Sequence, residues 1–323
     1  MKKQINKIVN DHIYKEKKLM SLRIPEFSLQ VNASNAESFC IPLADHLYKN
    51  YYSRDHSTSP DYTSSMDRKE FIQRLKAILG NDNMNFDQGW EVSENDPMGN
   101  VYVSKGYYKN LFSAGHYLSE SFTKPVSNGG SVKKAMNRYS HQENDYFFYI
   151  HGKTPGEYIN NFMVRYYFNT RAEPAVEVIK QLVKALDKHQ LPFEMKCPSD
   201  PKNFDRKDSI VLYLNKRYHH LFTGILNSIF PDLIDHLESN VPLFTRKIFP
   251  GIGFGESPPK NSTSFGMSRC DILAQSIFNS IINEIPQSNW ADSFIDDVRN
   301  QGFDPEHFYL NPFNSFPYDF NDK

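Results

Sequence analysis

Apolar side chains recur every three or four residues in several stretches of the chain, which is the spacing of an amphipathic helix. In one such stretch Phe39, Leu43 and Leu47 follow each other at steps of four residues. Another ends just before Gly80, a residue suited to the position after a helix. On this pattern we predict helices over residues 39–51, 67–79, 174–190, 217–237 and 268–285.

Elsewhere the pattern changes to short runs rich in β-branched and aromatic residues, separated by turn-forming residues. Residues 123–140 are rich in Ser, Gly, Lys and Asn, which predicts a mobile loop. The glycine-rich run 250–255 predicts an irregular turn. We predict strands over residues 90–92, 100–103, 107–117, 145–151, 162–169, 193–197, 204–213 and 243–249.

These elements, in this order, predict an α+β fold. A helical N-terminal region (1–85) is expected to precede a mostly antiparallel sheet with helices packed on it (86–290). The tail (291–323) is rich in Phe, Pro and Asn, and we expect its aromatic side chains to hold it against that domain.

Charge and composition narrow the classes of function. The chain has 37 Lys and Arg against 38 Asp and Glu, so no global positive field favours nucleic acid or an anionic membrane. No apolar run is long enough to span a membrane, and no apolar segment follows the charged N-terminus, so we expect a cytoplasmic protein without a Sec signal peptide. The 3 cysteines and 11 histidines show no metal-binding spacing, so neither metal nor cofactor is expected.

Basic residues inside the β-rich runs are the main functional signal. Arg165, Lys196 and Arg206 each lie within or beside an apolar run, and Arg246 and Arg269 follow in similar settings. Burying a cation is costly unless an anion or a hydrogen-bonding partner meets it. Each of these cations alone is well explained by an ion pair or an exposed edge, and Asp208 is a nearby partner for Arg206. Taken together, the five cations favour a pocket for a phosphate or carboxylate.

Other candidate motifs are weaker. His151 ends an aromatic run beside Gly152, where it would reach a pocket or lie partly exposed as a structural residue. The glycines at 251–255 lack the spacing of a nucleotide-binding loop. Cys197 and Cys270 have apolar neighbours, which is typical of buried structural thiols.

In its ordered motifs the sequence resembles the HopA type III effector family. The resemblance spans roughly residues 90–285 and departs from the family at Arg246, where relatives usually carry Lys. The motifs are Arg-Tyr-Tyr-Phe-Asn at 165–169, Phe-Glu-Met-Lys at 193–196, Asp-Arg-Lys-Asp at 205–208 with Val-Leu-Tyr at 211–213, Thr-Arg at 245–246 with Pro-Gly-Ile-Gly at 250–253, and Ser-Phe-Gly-Met-Ser-Arg-Cys at 264–270.

The resemblance implies a fold similar to phosphothreonine lyases and either of two functions. Some members of the family are effectors that bacterial pathogens deliver into plant cells. Others resemble lyases of lanthipeptide and thioamitide biosynthesis, which act after a kinase has phosphorylated Ser or Thr of a precursor peptide. The lyase then eliminates phosphate and leaves a dehydrated residue.

We predict a metal-independent phosphoserine/phosphothreonine lyase that acts on a phosphorylated precursor peptide, with a kinase as a possible partner. The alternatives are a secreted effector with a host-protein target and a phosphopeptide-binding module without catalysis. Elimination needs cations for the phosphate, a base for the α-proton and a proton donor. Lys196 is the predicted base, and His151 and Tyr213 compete as donor. The predicted phosphate ligands are Arg165, Arg206, Arg246 and Arg269.

Overall fold

The structure is a computed structural model. It describes residues 1–12, 14–15, 21–24, 27–30, 35–54, 64–80, 84–119, 126–156, 162–259 and 263–320. The helices are α1 (Lys2–His12), α2 (Glu37–Leu47), α3 (Arg68–Leu79), α4 (Ala172–Lys188), α5 (His219–Leu233), α6 (Phe265–Ile282) and α7 (Trp290–Asn300), and a π-helical turn (Tyr48–Tyr52) continues α2.

The strands form three antiparallel sheets. The first, near the N-terminus, contains β1 (Tyr14–Lys15), β2 (Ser21–Ile24) and β3 (Phe27–Gln30). The second has the order β6-β5-β4-β8-β7, with β4 (Met84–Asn95), β5 (Val101–Lys105), β6 (Tyr108–Phe112), β7 (Tyr117–Ser119) and β8 (Ser131–Asn137). The third, the main sheet, has the order β14-β15-β11-β13-β12-β10-β9, with β9 (Tyr139–Ser140), β10 (Phe147–His151), β11 (Met163–Phe168), β12 (Glu194–Pro198), β13 (Ile210–Asn215), β14 (Arg246–Phe249) and β15 (Ile252–Glu256).

Helices cover both faces of the main sheet. On one face Tyr166 packs against Phe222 of α5, with 4.6 Å between the ring centroids, and α4 lies beside α5. On the other face Tyr167 contacts Tyr52 of the π-helical turn and Phe265 of α6. The predicted α+β fold with a mostly antiparallel sheet is therefore confirmed.

One hydrophobic core joins the regions that we predicted as separate along the chain. It takes buried side chains from the N-terminal helices, the main sheet and the tail, for example Phe39, Phe168 and Phe308. The second sheet has a smaller core of its own around Trp90 and Phe112. The predicted boundaries at 85/86 and 290/291 stay predictions.

Two sequence-based assignments are wrong. The described part of the predicted mobile loop, 126–140, contains β8 and β9, because these polar residues pair with β4 and β10 through their backbones. The run 250–255 is a turn only at its start, where Gly251 has φ 77°, and it then becomes strand β15. Position 255 of this strand is a glycine because a Cβ atom there would lie 2.8 Å from the ring of Phe265. Residues 123–125 of the predicted loop lie outside the described part of the chain.

Candidate functional site

The register of the main sheet brings four of the polar side chains into one row. Arg165 on β11 pairs directly with Tyr213 on β13, which pairs with Glu194 on β12, which pairs with His151 on β10. Residues that pair directly across antiparallel strands point to the same face of the sheet. The row therefore lies on the face that α6 and the π-helical turn partly cover.

Lys196 lies in the next row of the same face, two residues along β12 from Glu194. Its Nζ atom lies 4.2 Å from the centroid of the Phe147 ring and 5.8 Å from that of Tyr213. Burial, followed by the charge of Arg165, lowers the pKa of Lys196 to about 8. A substantial fraction of its amine is therefore neutral near that pH, as a proton acceptor must be.

Arg165, one strand beyond Tyr213 from the Lys196 strand, is half-buried and interacts electrostatically with Lys196. Its Nε atom donates to Ser257 Oγ at 2.9 Å, and its guanidinium carbon lies 5.2 Å from the centroid of the Tyr213 ring. Burial opposes the charged form, but electrostatic interactions with Tyr167 and Tyr213 outweigh it and raise the pKa of Arg165. Arg165 thus stays cationic beside Lys196.

Arg206 is also brought to this face, but its charge is met within the chain. Its guanidinium donates two hydrogen bonds to Asp208, of 2.6 and 2.9 Å, in the bidentate geometry typical of Arg–carboxylate pairs. It also donates to the hydroxyl of Tyr48 at 3.0 Å and to that of Tyr146 at 3.1 Å. The ion pair with Asp208, an alternative that the sequence already offered, is present.

Two neighbouring cavities open on this face. The smaller, about 30 Å³, is lined by Lys196, Arg206 and Asp208 among others, and the larger, about 720 Å³, by His151 and Glu194 among others. Arg165 and Tyr213 line both cavities and so form the boundary between them. Strand β8 of the second sheet supplies the opposite wall of the larger cavity, which we call the cleft.

The N-terminus of α6 adds to the positive potential of the smaller cavity. Ser264 caps this helix by accepting a hydrogen bond from the backbone N–H of Met267 at 3.1 Å, and Ser264 and Gly266 both line the cavity. The N-terminus of a long helix carries a partial positive charge. This end of α6 and the cation Arg165 therefore both disfavour a proton on Lys196.

The two candidate proton donors differ in their surroundings. Tyr213 is largely buried, and burial raises its pKa, so its hydroxyl keeps its proton at neutral pH. His151 lies in the cleft and not in the smaller cavity, and its ring nitrogens contact Ser140 and Glu194. Burial and the nearby cation Arg138 lower the pKa of His151. Of the two, Tyr213 is the one that lies beside Lys196 and carries its proton at neutral pH.

The structure does not bring Arg246 or Arg269 to this site. Arg246 pairs with Phe254 and therefore lies on the opposite face of the sheet, where its guanidinium stacks on Phe320 at 4.3 Å. Arg269 is 1% exposed and donates to the backbone carbonyls of Phe308 and Leu310. These two predicted phosphate ligands instead hold the C-terminal segment, so their placement does not support the predicted role.

Sequence reasoning missed several residues of the site. Glu194 was detectable, because it is two residues from Lys196 and strand alternation places both on one face. Tyr48 and Ser264 had no such signal, since they come from distant helices that tertiary packing brings to the sheet. Within the described residues there is no group of three or more potential metal ligands, and no helix is long and apolar enough to cross a membrane.

The architecture and the site define an antiparallel α+β protein with a buried, cation-rich pocket on one sheet face. The sequence profile of the HopA1 effector protein family matches residues 137–310, which is more than half of the chain. The chain belongs to this family, as its motifs indicated.

Two solved structures are similar to this one at low sequence identity, and the first of them shares its fold. One is described as the effector protein from Pseudomonas syringae pv. tomato strain DC3000; it has a TM-score of 0.51 and 14% identity, with 86% of this chain and 96% of that chain covered. The other is the effector protein from Pseudomonas syringae pv. syringae strain 61, with a TM-score of 0.49, 14% identity and coverages of 88% and 100%. No match was found among curated proteins.

Proposed function

We propose that this protein is a metal-independent lyase that eliminates phosphate from phosphoserine or phosphothreonine in a peptide. The observation that carries the proposal is the environment of Lys196, a half-buried amine in the smaller cavity that Arg165 also lines and whose pKa is lowered to about 8 by burial and by the Arg165 charge. Elimination needs these two elements together, since a base must take a weakly acidic α-proton while the phosphate is held by positive charge.

In the proposed step the neutral amine of Lys196 takes the α-proton of the phosphorylated residue. The electrons of the Cα–H bond form the Cα=Cβ double bond, the Cβ–O bond breaks, and phosphate leaves with the electrons of that bond. Arg165 binds the phosphate, and the Tyr213 hydroxyl donates a proton or a hydrogen bond to the leaving oxygen. Arg206 contributes its charge, which Asp208 partly offsets.

The smaller cavity, at about 30 Å³, has room for a water molecule but not for a whole phosphorylated side chain. We therefore place the peptide in the cleft, with the α-carbon and the phosphate of the phosphorylated residue side by side at the boundary formed by Arg165 and Tyr213, so that Lys196 approaches the α-proton from the smaller cavity. A precursor peptide phosphorylated by a partner kinase, as in lanthipeptide biosynthesis, is the substrate class that we propose.

The second candidate function is that of an effector that binds a phosphorylated host protein without eliminating its phosphate. Two observations favour it. One is the match to the HopA1 effector protein family, and the other is the ion pair in which Asp208 offsets the charge of Arg206. Binding alone requires the cations but no base, so the two functions differ in their dependence on Lys196.

The test is incubation of the protein with phosphoserine and phosphothreonine peptides, followed by mass spectrometry for loss of phosphoric acid. Lys196→Ala should reduce the rate by a factor of about 10² or more, because general-base catalysis contributes that much, while phosphopeptide binding persists. Lys184→Ala, at an exposed position of α4, is the matched control and should leave the rate unchanged.

The pH profile provides a second readout. The rate should rise with pH and level off above about 8, because the base acts only when Lys196 has lost its proton. Equal dehydration by Lys196→Ala and the unchanged protein would rule out the assigned base. Binding without any loss of mass would favour the second function.

A further inference from the structure

Three side chains on the cleft wall form a chain of polar contacts that the proposed elimination does not use: a hydrogen bond between Ser140 and His151, and a close approach of Glu194 to His151. Ser140 Oγ lies 2.9 Å from His151 Nε2, and His151 Nδ1 lies 3.5 Å from Glu194 Oε2. The three residues come from the adjacent strands β9, β10 and β12, and all three line the cleft. They lie on the opposite side of the cleft boundary from Lys196.

The order of the groups determines where the protons lie. An ionised Glu194 can only accept hydrogen bonds, so its carboxylate, 3.5 Å from Nδ1, favours the tautomer of the neutral His151 imidazole that carries its single N–H on Nδ1. The lone pair of Nε2 then accepts the hydroxyl proton of Ser140. This order, hydroxyl to imidazole to carboxylate, is the one that activates serine nucleophiles in unrelated folds.

Access and rigidity also suit a reactive serine. Ser140 is exposed to the cleft, whereas the side chain of His151 is only 25% exposed, with Ser140 hydrogen-bonded at Nε2 and the Glu194 carboxylate 3.5 Å from Nδ1. The backbone N–H of His151 donates to the backbone carbonyl of Arg138, whose buried guanidinium is paired with Asp187 at 2.7 Å. The imidazole is thus fixed by the surrounding strands and does not depend on a substrate for its orientation.

We propose that Ser140 is an activated nucleophile, which His151 and Glu194 prepare for covalent reaction with activated acyl groups, such as esters or thioesters, that enter the cleft. In this step Ser140 Oγ bonds to the carbonyl carbon while His151 Nε2 takes the hydroxyl proton. The bond from carbon to the leaving oxygen or sulfur breaks with its electrons, and His151 returns the proton to that atom. The product is an acyl-serine and the free alcohol or thiol.

The test uses a fluorophosphonate probe and an activated ester such as a p-nitrophenyl ester, with the labelled position mapped by mass spectrometry. Ser140 should react at least ten-fold faster than Ser93, an exposed serine on the second sheet that serves as the internal control. Ser140→Ala should abolish this fast labelling. His151→Asn and Glu194→Gln should each slow it, because both interrupt the proton path.

A purely structural role for the hydrogen bonds predicts a different result. Ser140 would then label no faster than Ser93, or equally fast in His151→Asn, and either outcome overturns the proposal. Folding of each variant is checked by circular dichroism, and the milder Glu194→Gln keeps the test informative if His151→Asn fails to fold. Lys184→Ala, at an exposed position of α4, should leave the labelling intact. The labelling depends on Ser140 and the elimination assay on Lys196, so the two results can fail independently.

Discussion

The cations in and around the main sheet are stabilised in different ways, and these differences indicate which of them is a candidate base. Arg206 is paired with a carboxylate that offsets part of its charge, and Arg269 donates to two backbone carbonyls of the C-terminal segment. Lys196 lies over an aromatic ring and beside another cation, and its pKa falls to about 8. A cation that lowers its burial cost by losing its proton is a candidate base.

At the same scale, His219 should make folding sensitive to acid. It is fully buried, its Nδ1 atom accepts from the hydroxyl of Tyr166 at 2.8 Å, and its Nε2–H donates to the carbonyl of Asp319 at 3.0 Å. Burial is the main cause that lowers the pKa of His219 from 6.5 to about 4.

A group whose pKa is lower in the folded state opposes folding when it is protonated. The contribution of His219 to the free energy of unfolding is therefore complete above pH 6.5 and is lost as the pH falls towards about 4. We expect a loss of up to about 3 kcal/mol over this range. Urea unfolding at several pH values measures it; His219→Gln should flatten the dependence, whereas the control His220→Gln, at an exposed position, should keep it.

At the scale of elements, the contact between β15 and α6 sets the geometry of the site. Phe265, the first residue of α6, packs over Gly255, which pairs with Arg165 on β11. A glycine in a strand allows this close approach of a helix, and the N-terminus of α6 consequently reaches the smaller cavity. The glycine-rich run 250–255, which the sequence predicted as an irregular turn, thus positions helix α6.

Gly255→Ala should therefore destabilise the protein. The added Cβ would lie 2.8 Å from the Phe265 ring, and overpacking of this kind costs roughly 1–3 kcal/mol. Gly224→Ala in α5 is the matched control, because nothing lies within 4 Å of its added Cβ, and it should stabilise by roughly 0.5–1 kcal/mol. Thermal unfolding compares the two, and equal effects would mean that the close contact at Gly255 is unimportant.

At the scale of the whole molecule, the C-terminal segment connects both faces of the main sheet. Arg269 holds it at Phe308 and Leu310, while the buried carboxylate of Glu256 accepts from the backbone N–H of Asn311 and from the hydroxyl of Tyr318. The segment thus satisfies a buried cation and a buried anion that would otherwise lack these partners. We infer that folding of the sheet and docking of the segment are one cooperative event.

Removal of residues 303–323 should accordingly lower the free energy of unfolding by about 3 kcal/mol or more, because it leaves Arg269 without its carbonyl acceptors. The smaller change Tyr318→Phe removes one hydrogen bond to Glu256 and should cost about 1 kcal/mol or more. Urea unfolding measures both variants. A truncated chain with unchanged stability would show that the segment is not part of the cooperative unit.

Local patterns of the sequence predicted much of the fold but failed where a residue's environment came from elsewhere in the chain. Helices with a strong apolar stripe, such as the predicted 174–190, agree with the structure to within two residues, because amphipathicity is a local property. The sequence did not predict strand β8, because its side chains are largely polar and the strand is formed by backbone pairing with β4. The glycine-rich composition of residues 250–255 likewise did not predict strand β15. Gly253 and Gly255 lie in this strand because an added Cβ atom would come too close to Thr245 and Phe265, respectively.

The sequence by itself determined the α+β class, the family and the strands that carry Arg165, Lys196 and Tyr213, since periodicity and ordered motifs are readable along the chain. Tertiary structure alone decided which of the five cations converge. Strand register places Arg165 and Lys196 on one face and Arg246 on the other, and helix packing directs Arg269 to the C-terminal segment. The physical reason is that a cation's partners, and hence its charge and role, depend on residues far away in sequence.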